Sequence, residues 1–149
     1  MDPEILRLQK TLYTSKNPTR RWLHCTRRDW IIDEIQGIGG ERRSALEVGF
    51  GSGVYLPHLA ARYAEVTGID KEPAFLEHGA AMARDLPNLR VIADDITRSK
   101  LDANSFDLVL CSEVIEHIPD WPKAMAEMYR LLKSGGRLIL STPQPYSPV

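Results

Sequence analysis

Three features of the sequence predict an α/β fold in which helices cover both faces of a doubly wound parallel sheet. From Arg43 onward, short β-type runs alternate with helical runs, which is the pattern of consecutive βαβ units. The first strand leads directly into a turn with glycine at alternate positions, Gly49, Gly51 and Gly53. Right-handed crossovers with a switch point beside this turn give the strand order 3-2-1-4-5.

Two helices are predicted before the sheet, and together they form an N-terminal helical extension over residues 1–40. Asp2 and Pro3 provide a cap and a first-turn proline for the first helix, and Ile5, Leu8 and Leu12 follow at helical spacing. Asn17 and Pro18 repeat the signal for a second helix that runs to about Gln36, before a glycine-rich end. The predicted buried side of this second helix is Trp22, Leu23, Trp30, Ile31 and Ile35.

Five strands and their connecting helices account for residues 41–149, the predicted Rossmann-like unit. The expected strands are Ser44 to Val48, Glu65 to Ile69, Leu89 to Ala93, Phe106 to Cys111 and Gly136 to Ser141. Apolar residues at helical spacing mark three helices between them. These residues are Leu56, Leu59, Ala60 and Tyr63; Phe75, Leu76, Gly79, Ala80 and Met82; and Ala124, Met125, Met128, Leu131 and Leu132.

The composition predicts one soluble globular domain. The chain has 149 residues, 43% hydrophobic and 26% charged, with a formal net charge of -1, which argues against general nucleic-acid binding. Cys25 and Cys111 lie far apart without a metal-ligand spacing, so we expect no disulfide framework or zinc site, and a cytoplasmic location. The sequence lacks an apolar stretch of about 18 residues and a basic leader, and therefore predicts neither a transmembrane helix nor a signal peptide.

The glycine turn predicts a site for a nucleotide-like ligand. Glycine accepts positive φ and lets a ligand approach the main chain, so the turn can present backbone N–H groups. A helix from about Val54 would direct its positive dipole end at the same space. The spacing Glu47-x-Gly49-x-Gly51-x-Gly53 differs from the dinucleotide pattern G-x-G-x-x-G.

Asp70 follows the second predicted strand and is expected beside the glycine turn. A carboxylate at that place can accept hydrogen bonds from both vicinal hydroxyls of a ribose, which indicates an adenosine-type ligand without choosing the cofactor. The alternative is that Asp70 caps the helix that begins at Glu72-Pro73.

The motif from Glu47 to Gly53 resembles motif I of the class I methyltransferases that use S-adenosylmethionine (SAM), in particular the methyltransferase type 11-like proteins. Later stretches extend the resemblance from Ala45 to Pro143, about two thirds of the chain. The resemblance implies a SAM-dependent methyltransferase that acts on a small-molecule acceptor and releases S-adenosylhomocysteine. It also implies two further strands, whereas this sequence ends at Val149, so we expect a fragment of a longer enzyme or an oligomer that covers the open sheet edge.

The resemblance assigns the adenine part of the site to the end of the third strand. Asp94 would accept a hydrogen bond from the exocyclic amine, and Asp95 and Ile96 would line the pocket together with Lys71 after the second strand. The alternative is an acidic pair that only forms a turn.

The resemblance places the reacting end of SAM near the first and fourth strands. Cys111 and Ser112 would lie close to the sulfonium, and Glu47 would meet the cationic ammonium, directly or through water. Because the sulfonium already activates the methyl group, the protein needs mainly to align the acceptor and exclude water.

His117 is the candidate catalytic base. If the acceptor is a hydroxyl group, its proton must leave near the transition state, and a histidine with an ordinary pKa of about 6.5 can take it. The alternative is that His117 packs against or caps the junction after the fourth strand. His58 and His78 fall within predicted helices and are assigned no role.

A basic face on the second predicted helix has two interpretations. Arg20, His24, Arg27 and Arg28 share this face, and no acid occurs between Lys16 and Arg28. The face is either solvent-exposed charge or, since N-terminal helices cover the pocket in the resembling family, a surface for an acidic, phosphorylated or lipid-like acceptor or a membrane.

Two other function classes stay open. Tyr129 and Lys133 match the Y-x-x-x-K spacing of short-chain dehydrogenases, although the glycine spacing upstream does not, and the segment before Gly135 also resembles a methyltransferase segment. The third class is a SAM-binding module without catalysis.

Overall fold

The computed structural model describes residues 11–40 and 42–143, in which five parallel strands form one sheet. The strand order is β3-β2-β1-β4-β5, which confirms the predicted fold class and topology. The strands are β1 Ser44–Val48, β2 Glu65–Asp70, β3 Leu89–Ala93, β4 Phe106–Ser112 and β5 Leu132–Ser141. The helices are α1 Pro18–Gly37, α2 Leu56–Ala60, α3 Pro73–Ala83 and α4 Trp121–Leu131, with 3₁₀ helices at Ile96–Arg98 and Ile115–His117.

A side chain caps the start of two helices, α1 and α4. The Oδ1 atom of Asn17 accepts a hydrogen bond from the backbone N–H of Arg20 at 3.1 Å, and Pro18 occupies the first turn of α1. Asp120 caps α4 in the same way, through the N–H of Lys123 at 3.3 Å. The helix predicted from Asp2 falls mainly on residues 1–10, outside the described residues.

The core has two apolar clusters, separated by the sheet. β1 is buried along its whole length, as expected for a central strand of a parallel sheet covered on both faces. One cluster joins Ile31 and Ile35 of α1 to Leu56 and Leu59 of α2. The other joins α4 to the opposite face of β1 and β4, through residues that include Met128.

Two tryptophans of α1 are exposed, so the prediction that they belong to its buried side is wrong. Trp22 is 64% exposed and Trp30 is 48% exposed, while Ile31 and Ile35 are fully buried. Trp22 precedes Ile31 by about two and a half helical turns, which puts it on the opposite side of the helix. The contact of α1 with the core is therefore a narrow aliphatic stripe.

Several predicted boundaries also shift. α2 begins at Leu56 instead of about Val54 and ends before Tyr63, which is buried beyond the helix. Leu132 belongs to β5 instead of α4, because it pairs with Phe106 of β4. The residues by which β5 is longer than predicted include Gly135, which has a φ of 78°. This conformation permits the shift in the β4–β5 register near the start of β5.

β3 and β5 are the edge strands of the described sheet. The expected cover for an open edge, by further strands or a second copy, stays a prediction, as does the division at residue 40. Within the described residues, none of the helices combines the length and apolarity needed to cross a membrane.

Candidate functional site

Two adjoining cavities lie where the carboxyl ends of β1, β2, β3 and β4 meet. The first has a volume of about 320 Å³ and borders the glycine turn, and the second has a volume of about 460 Å³ and borders the end of β3. Gly49, Asp70, Val114 and His117 line both cavities. This is the edge of an open α/β sheet at which ligands bind, beside the point where the strand order reverses.

The glycine turn is built from backbone that favours glycine. Gly49, Gly51 and Gly53 have φ values of 63°, 51° and 72°. A Cβ atom on Gly49 would lie 2.6 Å from a methyl carbon of Val114, so the close approach of these two segments also requires glycine. Gly49 and Gly51 line the first cavity, whereas Gly53 supports the turn through its N–H, which donates to the carbonyl of Phe50 at 2.8 Å.

Glu47 contributes a buried carboxyl group without a partner to the first cavity. It comes from β1, is 3% exposed, and its Oε2 atom has no hydrogen-bond partner among the described residues. Burial, with a further contribution from the charge of Asp70, raises the pKa of Glu47 well above its usual value. Since buried polar groups are normally hydrogen-bonded, this oxygen fits a ligand that brings its own donor, such as an ammonium group.

Asp70 connects the glycine turn to the end of β2. Its Oδ2 atom accepts a hydrogen bond from the N–H of Gly51 at 3.0 Å, and its Oδ1 atom accepts from the N–H groups of Lys71 and Glu72 at 2.7 and 2.9 Å. An ionised carboxylate offers about four acceptor positions, so one on Oδ2 remains for a ligand hydroxyl. Asp70 therefore orders the loop before α3 and lines both cavities, but it is not the helix cap of the alternative interpretation, because the N-cap position of α3 is Glu72.

The four residues expected at the adenine line the second cavity: Lys71, Asp94, Asp95 and Ile96. Asp94 accepts hydrogen bonds from the N–H of Asp95 at 2.9 Å and from Ser99 Oγ at 2.7 Å, so the acidic pair also forms the predicted turn. The backbone N–H of Thr97 lowers the pKa of Asp95 against the opposing effect of burial. Lys71 Nζ lies 3.3 Å from Asp95 Oδ2.

The two residues after β4 that were expected near the sulfonium take different positions. Ser112 lines the first cavity, and its Oγ atom lies 2.9 Å from Ser141 Oγ of β5. Cys111 is fully buried in the apolar cluster beneath α4 and lines neither cavity. Burial raises the pKa of the Cys111 thiol to about 12, so it is a neutral packing group at physiological pH.

His117 ends the second 3₁₀ helix at the junction of the two cavities. Its side chain is 78% exposed, and Nε2 lies 3.8 Å from the Oε1 atom of Glu116. The backbone N–H of His117 donates to the carbonyl of Val114 at 2.9 Å, which fixes the position of this residue but leaves the imidazole accessible.

An ion pair that the sequence reasoning missed borders the first cavity. Arg27 of α1 lies 3.1 Å from the carboxylate of Glu113 and 2.7 Å from His24 Nδ1. Glu113 has a φ of 57°, unusual for a non-glycine residue, and its N–H donates to the carbonyl of Ser141 at 2.9 Å. Burial raises the pKa of Glu113, and Arg27 opposes this effect.

The same contact changes the interpretation of the basic face. Arg27 lines the first cavity, so the solvent-exposed interpretation fails for this residue, whereas Arg28 lies over the ring of Tyr13 and pairs with the exposed Asp29. The missed wall of the cavity also includes Tyr55, whose pKa is raised by burial. The sequence signal was present for Arg27, because charge at helical spacing was visible, but the distant partner Glu113 was not.

The dehydrogenase spacing does not form a site. Tyr129 is 83% exposed and lines neither cavity. Lys133 Nζ lies 3.0 Å from the carboxylate of Asp107, near the start of β4, at the other end of the sheet.

Together, the strand order, the glycine turn after β1 and the acidic ends of β2 and β3 define a class I SAM-dependent methyltransferase domain. A family model described as "Methyltransferase domain" matches residues 46–140. The chain belongs to this family, whose cofactor is SAM, and the predicted family is confirmed.

The chain is similar to longer curated proteins and to solved structures. The ubiquinone biosynthesis O-methyltransferase of Alkalilimnicola ehrlichii is 36% identical over 120 residues, which cover 78% of this chain and 47% of that protein. The protein of the same name from Aeromonas salmonicida is 34% identical, covering 78% and 49%. The chain thus spans about half the length of these curated relatives.

A solved structure shows the same fold. The structure of a SAM-dependent methyltransferase from Aquifex aeolicus has a TM-score of 0.73 and 19% identity, and covers 99% of this chain and 78% of that one.

Proposed function

We propose that this chain binds SAM and transfers its methyl group to a hydroxyl oxygen of a small organic acceptor. The observation that carries this proposal is the buried, unpartnered Oε2 atom of Glu47 in the wall of the first cavity. A buried carboxyl group without a partner costs stability, and a ligand ammonium would satisfy it.

The charges around the first cavity also suit a cationic ligand. Glu47, Asp70 and Glu113 line it, while Arg27 is the one Lys or Arg side chain of the described residues in its lining. When bound, SAM supplies a methyl group already activated by a positive sulfonium. Glu47 would hold the amino-acid end, and Asp70 would accept from a ribose hydroxyl with the acceptor position left on Oδ2.

The second cavity supports the adenosine part of the proposal. Ile96 and Ile69 provide apolar lining, and Asp94 and Asp95 provide carboxylates at the same end of the sheet. This mixture of apolar walls and few polar groups is typical of small-molecule sites. Lys71 would limit access to the second cavity through its contact with Asp95.

The choice of oxygen as the methyl acceptor rests on the relatives, which are named as O-methyltransferases of ubiquinone biosynthesis. We propose that the acceptor is a hydroxyl compound of the kind methylated in ubiquinone biosynthesis. His117 would take the hydroxyl proton, because its imidazole is accessible at the junction of the two cavities. A bound acceptor would have to cover this exposed side chain to exclude water.

Binding can be tested by calorimetric titration with S-adenosylhomocysteine. E47Q removes the charge and should weaken binding at least tenfold, since the ammonium loses a charge-assisted partner. E65Q is the matched control, because Glu65 is exposed at the start of β2, and it should bind like the wild type. Equal affinity of E47Q and the wild type would remove Glu47 from the site.

Transfer can be tested separately with methyl-labelled SAM and 4-methylcatechol as a hydroxyl probe. Labelled product from the wild type would support the enzyme. Binding of S-adenosylhomocysteine without transfer, to this probe or to a panel of phenols, would favour the binding module. That alternative stays relevant because the chain spans about half the length of its curated relatives.

A further inference from the structure

The start of α1 carries an exposed surface that the proposed methyl transfer does not use. Trp22 is 64% exposed, and Lys16, Arg20 and Arg21 around it are exposed as well. We call these four residues the basic tryptophan surface. All positions from Lys16 to Trp22 are exposed, so this end of the helix projects from the body of the domain.

The charge of this surface is separate from the cavity. Arg27 and Arg28, one or two turns further along, are engaged with Glu113 and with Asp29 and Tyr13. No acid occurs in the sequence between Lys16 and Arg28, whereas the later part of the exposed side of α1 is acidic. Positive charge and an exposed indole therefore coincide only at the start of the helix.

We propose that the basic tryptophan surface docks on a membrane surface that contains anionic lipids. Tryptophan is favoured at the boundary between headgroups and acyl chains, because its ring is apolar and its N–H is polar. Lysine and arginine beside it are attracted to the negative surface potential of anionic lipids. One exposed ring or a few cations alone bind weakly, but the two contributions add and together give a reversible association.

The same observations favour a bilayer over a nucleic acid. Three cations release few counterions, and the net charge of the whole chain is -1. A polyanion lying along α1 would also meet the acidic residues Asp29, Asp33 and Glu34 on its later turns. A bilayer touches only the projecting end of the helix, where those acids are absent.

Docking at this end of α1 would bring the first cavity close to the bilayer. Arg27 lies on the same helix and lines that cavity, less than two turns after Trp22. If the proposed function holds, an apolar hydroxyl acceptor dissolved in the membrane could then reach the site without crossing bulk water. The docking itself does not depend on methyl transfer and is measured without it.

The test is flotation of the full chain with vesicles of phosphatidylglycerol and phosphatidylcholine at equal amounts, compared with pure phosphatidylcholine. The wild type should float with the anionic vesicles and be released by 0.5 M salt, a level of ionic strength that shortens the Debye length to about 4 Å. W22A and the double variant R20Q/R21Q should each lower the partition coefficient about tenfold.

The matched controls remove a tryptophan and two cations from other parts of the surface. W121A removes a tryptophan that is 56% exposed at the start of α4, on the opposite face of the sheet, and R84Q/K123Q removes two exposed cations. Both controls should float like the wild type. All variants should keep wild-type affinity for S-adenosylhomocysteine, which shows that they are folded.

A second measurement locates the contact directly. In the variant W30F/W121F, Trp22 is the remaining tryptophan, and lipids brominated near the headgroup should quench its fluorescence. Equal binding to neutral vesicles, equal losses in test and control variants, or absence of quenching would each overturn the proposal. Failure of methyl transfer would leave these results unchanged, and so the two proposals are judged separately. Stronger competition by duplex DNA than by anionic vesicles would assign the surface to nucleic acid instead.

Discussion

Glu47 and Asp107 are carboxyl residues on neighbouring strands, β1 and β4, and they differ in their partners. Near the start of β4, Asp107 accepts hydrogen bonds from the N–H groups of Arg43 and Ser44 at 3.0 and 2.9 Å and pairs with Lys133 at 3.0 Å. Near the end of β1, the Oε2 atom of Glu47 has no partner in the described part of the chain. The carboxylate of Asp107 is satisfied within the protein, whereas that of Glu47 keeps an oxygen that a ligand can satisfy.

The pKa shifts of the two residues have opposite directions. Burial disfavours ionisation of Asp107, but the N–H of Ser44 and the ammonium of Lys133 outweigh it and lower its pKa. Burial without compensation raises the pKa of Glu47. Asp107 therefore stabilises the fold above its unfolded pKa of about 3.9, whereas ionisation of Glu47 destabilises the fold as the pH rises above about 4.3.

The largest expected effect on the free energy of unfolding is that of D107A. The substitution leaves two backbone N–H groups and Lys133 without their acceptor, so we expect a loss of about 2–3 kcal/mol at pH 7 in urea denaturation. The loss should shrink as the pH falls through the lowered pKa of Asp107, where the wild type also loses the contribution. Affinity for S-adenosylhomocysteine should stay within about twofold of the wild type, and D85A, at an exposed position, serves as the control. A D107A variant that is as stable as the wild type but binds S-adenosylhomocysteine poorly would contradict the assignment of Asp107 to stability and not to binding.

E47Q is expected to raise the free energy of unfolding, in contrast to D107A. Glutamine keeps the size of the side chain but cannot ionise, so the variant should be more stable than the wild type by about 1–2 kcal/mol at pH 8. At pH 4 the two proteins should be nearly equal, because Glu47 is then protonated in both the folded and, in large part, the unfolded chain. The gain in stability together with the loss of ligand affinity is the pattern of a residue kept for binding. The measurement is urea denaturation at the two pH values, with E65Q as the control. An E47Q variant that is less stable than the wild type at pH 8 would contradict the prediction.

Asp70 combines both kinds of behaviour, and a substitution there sharpens the comparison. It accepts three backbone hydrogen bonds, as Asp107 accepts backbone bonds, and it lines both cavities, unlike Asp107. For Asp70→Ala, the affinity for S-adenosylhomocysteine in calorimetry should fall by more than about tenfold, or 1.4 kcal/mol, through loss of the ribose acceptor and of loop order. D70N keeps the size of the side chain and part of the acceptor capacity and should lose less. Unchanged affinity in both variants would remove Asp70 from the ribose position.

Local sequence patterns predicted the fold and the strand-end residues well, because both depend on short segments. The strand order follows from the series of βαβ units. The glycine turn and Asp70 directly follow strands in the sequence, so their place at the strand ends could be predicted as well. The contact of Arg27 with Glu113 joins α1 to the loop after β4, and nothing local in either segment specifies it. Cys111 was predicted beside the ligand and lies in the core instead. Side chains alternate along β4, so that of Cys111 packs in the core while Ser112 faces the cavity.

Trp22 shows why burial is harder to predict than the helix itself. The periodic pattern of α1 is correct, but a helix at the surface of a domain buries only the stripe that meets other elements, here Ile31 and Ile35. Apolar character alone therefore misplaced the two tryptophans.

The smallest expected effect on ligand affinity belongs to His117, which borders both cavities but is largely exposed. An exposed imidazole makes few contacts with a bound cofactor, so H117A should bind S-adenosylhomocysteine within about twofold of the wild type. If His117 takes the hydroxyl proton, transfer to 4-methylcatechol should slow by about 10²-fold or more. H58A, on α2, is the control and should keep both the affinity and the transfer rate of the wild type. Equal turnover of H117A and the wild type across neutral pH would leave His117 as a residue of the strand-helix junction, and the proton would then need another acceptor beside the first cavity, where Glu113 lies.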